Sequence, residues 1–82
     1  MLSRVFVIEM KIILKEEVGK RFKECRDSLN LSQRDVAKLL GVAQPVYQRF
    51  EKGIFECSYE QLLALSNIFD VSLDYLLGKQ IY

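Results

Sequence analysis

Histidine and tryptophan are both absent from these 82 residues, and proline occurs once. Without histidine, imidazole acid–base and triad chemistry are excluded, and a zinc site would need other ligands. Cys25 and Cys57 lie far apart and form no CxxC pair. This is the usage of reduced cytosolic thiols rather than of a disulfide framework. Four scattered glycines make no loop able to cradle a phosphate. No apolar run exceeds four residues, far short of the roughly 20 that a membrane helix needs. The apolar flavour of residues 1–14 is interrupted by Glu9 and Lys11, and no small-residue cleavage site follows, so the segment is not read as a signal peptide. Neither an enzyme nor a membrane protein is expected, and no cofactor or metal.

What remains is a chain that is 50% hydrophobic and 28% charged. That composition suits one small globular domain and argues against disorder. Its net charge of +1 conceals an asymmetry. Residues 20–52 carry eight Lys and Arg against four Asp and Glu, whereas residues 53–82 carry one against four. A basic middle beside an acidic end suits an anionic partner for the middle, although charges on solvated faces also fall unevenly in short chains.

Val5–Leu14 alternates: Phe6, Ile8, Met10, Ile12 and Leu14 share one apolar face in an extended register. Period two with β-branched and aromatic residues predicts a half-buried strand. From Glu17 the spacing of Val18, Phe22, Cys25 and Leu29 becomes helical, with Glu16 and Glu17 suited to a helix N-terminus and Asn30 to a left-handed stop. Ser32 with Asp35 predicts a capped second helix ending at Gly41. A third helix is expected over about Gln44–Glu51. It has Pro45 in its first turn, a weak cap at Ala43, and Gly53 beyond its end. Ser58 with Gln61 opens a fourth helix carrying Leu62, Leu65 and Phe69, and Ser72 caps a short fifth ending at Gly78.

Helices two and three flank the short turn Gly41–Ala43. A short glycine turn sets two helices at a steep angle and lets the second project. One projecting helix fits the major groove of DNA, where a glutamine amide matches adenine and an arginine fork matches guanine. Gln44, Gln48 and Arg49 are such residues in the first turns of helix three. The plainer alternative makes both glutamines solvated surface positions and pairs Arg49 with Asp35 or Glu51.

The stretch SQRDVAKLLGVAQPVYQRFEKG at Ser32–Gly53, followed by LLALSNIFDVSLDYLLG, resembles the XRE family of helix-turn-helix regulators with the λ-repressor-like fold. The resemblance covers roughly Val18–Gly78. It implies an all-α fold of five helices, with the short N-terminal β-strand as an extension of its own. It implies base contacts from Gln44, Pro45, Gln48 and Arg49, and phosphate contact from Gln33 and Lys52. Arg34 and Lys38 join the phosphate set as general electrostatic contributors. Ala37, Val42, Phe50, Leu62 and Leu65 fall on core positions. Two residues depart from the pattern: Pro45 can offer only apolar contact to a base, and Tyr47 stands where a small β-branched residue is common.

The expected organisation is therefore residues 1–16 as a strand extension, 17–78 as the DNA-binding domain, and 79–82 as a tail. The expected function is cytoplasmic, sequence-specific transcriptional regulation through double-stranded DNA, as a homodimer. Nothing after Gly78 is long enough for a ligand-sensing domain, so control is expected from protein concentration, operator arrangement or a regulatory protein partner. The strand has two candidate partners, the tail of its own chain or its symmetry mate. In the second case Phe6, Ile8, Met10, Ile12 and Leu14 form the dimer interface. Met10 is also a candidate natural start. The rival reading keeps the fold as a protein-interaction module, of antirepressor or antitoxin kind, without specific DNA contacts.

Overall fold

The computed structural model describes the backbone of residues 2–78 and the side chains of residues 15–78. Five helices follow one another: α1 Leu2–Ser28, α2 Gln33–Leu40, α3 Gln44–Glu51, α4 Tyr59–Phe69 and α5 Leu73–Leu77. Among the described residues there is no strand, and no helix is long and apolar enough to cross a membrane. The expected tail, Lys79–Tyr82, lies outside the described residues.

The N-terminal extension is helical, which corrects the strand expected at Val5–Leu14. Its alternation was never clean, because Val5, Val7 and Ile13 on the other extended face are apolar too. No Gly or Pro separates it from the helix that follows. Extending an existing helix adds one hydrogen bond per residue fixed, whereas a lone strand leaves both edges unpaired. Glu16 and Glu17 consequently lie inside α1 rather than at its start. The side chains of Phe6, Ile8, Met10, Ile12 and Leu14 lie outside the described residues.

The remaining boundaries follow local chemistry. Asn30 takes the left-handed conformation (φ 58°) just beyond α1. Ser32 accepts from the Asp35 amide while the Asp35 carboxylate accepts from the Ser32 amide, a complete capping box. Ser58 and Gln61 form the same box for α4. Ser72 caps α5 through the Tyr75 amide. Ala43 makes no side-chain cap, and Pro45 fills the first turn of α3. Asp70, which no sequence signal marked, ends α4 at φ 57°. Short Asp and Asn side chains tolerate that region better than other residues.

The core gathers one stripe from each helix. Val18, Phe22 and Cys25 of α1 meet Val36 and Ala37 of α2, Tyr47 and Phe50 of α3, Leu65 and Phe69 of α4, and Leu76 of α5. Phe22 and Phe69 join α1 to α4, their ring centroids 6.3 Å apart. Val42 and Leu62, expected in the core, are half-buried against it. Leu29, expected to continue the α1 stripe, is exposed because the helix ends at Ser28 and the chain turns away.

Candidate nucleic-acid interface

The turn between α2 and α3 is set by Gly41 at φ 81°. The Gly41 and Val42 amides both donate to the Ala37 carbonyl, at 2.9 and 3.0 Å, which closes α2 and redirects the chain. A side chain at Gly41 would meet open space, so the requirement there is conformational rather than steric.

α3 then divides by its period. Tyr47 and Phe50 point into the core, their rings edge-on at 6.4 Å. Gln44, Pro45 and Arg49 are exposed and Gln48 is half-buried. These four are the residues singled out from the sequence, and on a helix they form one continuous face. Tyr47 is fully buried, so the core takes the ring that departs from the usual small residue.

A shallow concavity lined by Arg26, Ser32, Gln33, Arg34 and Gln44 lies where the first turns of α2 and α3 meet. Gln33, Arg34 and Gln44 are thus brought together. Lys38 and Lys52 are exposed but do not line it.

Beneath the concavity is a polar network that sequence reasoning missed. The Glu51 carboxylate accepts from Arg26 Nε at 2.7 Å, from a second Arg26 nitrogen at 3.2 Å, and from Gln33 Nε2 at 3.0 Å. Arg26 also donates to the Leu31 carbonyl at 3.0 Å. One carboxylate thereby ties α1, α2 and α3. The Arg26 and Glu51 side chains are only 11% and 6% exposed, so water screens the pair little. Burial by itself would push the Glu51 carboxyl up. Hydrogen bonds from Arg26 and Gln33, with the Tyr47 hydroxyl close by, outweigh it and hold the group below the usual range. The Tyr47 hydroxyl is buried and meets no partner within hydrogen-bond geometry. Burial and the adjacent carboxylate push its pKa well up, so it is a neutral phenol.

The network also disposes of the alternative pairing for Arg49. Glu51 is occupied by Arg26 and Asp35 by its own cap. The Arg49 guanidinium lies instead over the Phe55 ring, 5.4 Å from its centroid. Both thiols are poor nucleophiles: burial raises Cys25, with Glu24 adding to it, and burial alone pushes Cys57 up to about 12.

The fold and this pair of helices define a helix-turn-helix protein. A family model described as Helix-turn-helix matches residues 22–76, and the chain belongs to that family, within its XRE branch. The uncharacterized HTH-type transcriptional regulator YqaE of Bacillus subtilis is 45% identical over 59 residues, which are 72% of this chain and 51% of YqaE. The HTH-type transcriptional regulator ImmR of the same organism is 37% identical over 62 residues, 76% of this chain and 49% of ImmR. The chain spans about half the length of these curated relatives. Among solved structures, the P22 c2 repressor in complex with a synthetic operator superposes with a TM-score of 0.72 at 33% identity. It matches 77% of this chain and 96% of the repressor chain.

Proposed function

We propose that this chain is a sequence-specific, DNA-binding transcriptional regulator that acts in the cytoplasm as a homodimer and reads a two-fold operator with α3. The observation that carries the reading is the solvent face of α3. Gln44, Pro45 and Arg49 are exposed, Gln48 is half-buried, and the four share one side of a projecting helix. Gln44 and Arg49 supply bidentate donors for base edges, and Pro45 supplies an apolar surface for a thymine methyl. Gln33, Arg34, Lys38 and Lys52 supply phosphate contacts around it. The fold shared with an operator-bound repressor supports the same orientation.

A dimer is part of this reading, because one short probe helix covers too few base pairs for useful specificity. The N-terminal segment, residues 1–16, is the proposed dimer contact, its backbone helical from Leu2 onward.

Selection from a random duplex pool at low salt tests both parts. The expected product is a two-fold symmetric sequence whose half-sites are centred about 34–36 Å apart, one turn of DNA. An asymmetric single half-site would remove the dimer. No enrichment by a folded protein would favour the protein-interaction module.

Single substitutions assign the residues. Arg49→Ala and Gln44→Ala are expected to lose about 1–3 kcal/mol on the selected site and to relax base choice. Arg34→Ala is expected to weaken selected and random duplexes alike, as a backbone contact does. Competition binding against both duplexes separates the two classes.

A further inference from the structure

Arg49 does not project freely from α3. Just beyond the helix, Gly53 takes a left-handed conformation at φ 75°, and its amide donates to the Phe50 carbonyl at 3.1 Å. The chain then folds back over the end of α3. The Ile54 and Phe55 amides both point at the Arg49 carbonyl, at 3.0 and 3.4 Å. The loop is therefore registered on the backbone of Arg49 itself, and the Phe55 ring arrives at a fixed offset from it. The guanidinium lies over that ring, 5.4 Å from the centroid. Phe55 is 42% exposed, so core packing does not account for an aromatic at this place.

We propose that Phe55 is a positioning residue for DNA recognition: its ring is a platform that confines the Arg49 guanidinium and so sharpens base choice, although Phe55 lies outside the helix-turn-helix. This rests on the reading of Arg49 as a base-contacting residue. An unrestrained arginine samples many rotamers and pays for ordering when it binds. A guanidinium held over an aromatic face has surrendered part of that freedom, and its edge donors stay open for a bidentate contact. The face of the ring is the feature that matters, so an aliphatic side chain of similar bulk does not replace it.

The test is binding of the full chain to the selected duplex, to the same duplex altered at the base pair that depends on Arg49, and to random duplex. Phe55→Leu is expected to lower discrimination at that base pair about two- to five-fold. Affinity for random duplex should hold, and the thermal melt should show the protein folded. Phe55→Trp should restore discrimination. In an Arg49→Ala background, Phe55→Leu should have no further effect on base choice. Unchanged discrimination in Phe55→Leu overturns the platform. Equal loss on all three duplexes overturns it too, by reassigning the ring to general support of the loop. If instead Arg49→Ala weakens selected and random duplexes equally, the base-reading role of Arg49 has failed, and that result is distinguishable from failure of the platform alone.

Discussion

Glu51→Ala is expected to destabilise the domain by about 3–5 kcal/mol, the range found when one partner of a buried ion pair is removed. The reason is less the lost attraction than what remains. Arg26 is 11% exposed and would keep its charge with only the exposed Asp27 carboxylate, 3.5 Å away, beside it, and Gln33 would lose the acceptor that fixes its amide. A small domain is stable by roughly 5–15 kcal/mol in all, so the variant should melt far below the parent in denaturant or heat. The double substitution Arg26→Met with Glu51→Leu removes the orphaned charge and should recover part of the loss. It should not recover DNA binding, because Gln33 would remain unbraced at the edge of the concavity. A double variant no more stable than Glu51→Ala would show that the charge left on Arg26 is not the source of the penalty.

The same carboxylate predicts a pH response. Its folded pKa is held below the ordinary value. The stabilisation is therefore complete above the unfolded carboxylate value, about 4.3, and is lost as pH falls through the folded value. Denaturant midpoints measured between neutral pH and about pH 3 should decline for the parent in that window. The decline should be shallower in the double variant.

The parts of this molecule that were legible in the sequence are those set by near neighbours. Ser32 with Asp35 and Ser58 with Gln61 each close within one helical turn, so the cap is visible as a spacing. The outward face of α3 was legible only through the family resemblance, which put Gln44, Pro45, Gln48 and Arg49 on base-facing positions and Phe50 in the core; Tyr47, a departure from the pattern, is buried beside Phe50. The extension failed because Val5–Leu14 is apolar in either register, so periodicity could not choose, and continuity with α1 decided it. The polar network is invisible for a different reason. Arg26 and Glu51 are separated by 25 positions, and no local signal reports that the fold will bury them together. Phe55 was likewise passed over as a loop residue, because its significance depends on a turn that returns over Arg49.

Gly19 carries the other large expected effect, and it pits two physical tendencies against each other. It lies within α1, away from either end. Replacing an interior helical glycine with alanine gains about 1 kcal/mol in helix propensity, so propensity alone predicts a more stable protein. Packing predicts the reverse. Gly19 is buried where α1 crosses the end of α3, and an added Cβ would fall on the Glu51 carbonyl and 2.8 Å from the Phe50 carbonyl oxygen. Those neighbours are backbone, so no side-chain rotation relieves the overlap. The helices must separate, and overpacking of this kind costs about 1–3 kcal/mol or somewhat more. Displacing the end of α3 also strains the Glu51–Arg26 pair and moves Arg49 relative to Gln44. Gly19→Ala is therefore expected to be less stable than the parent in denaturant melts and to lose affinity for the selected duplex beyond its loss on random DNA. A variant as stable as the parent or more so would mean that propensity wins, and that α1 and α3 part without cost at their crossing.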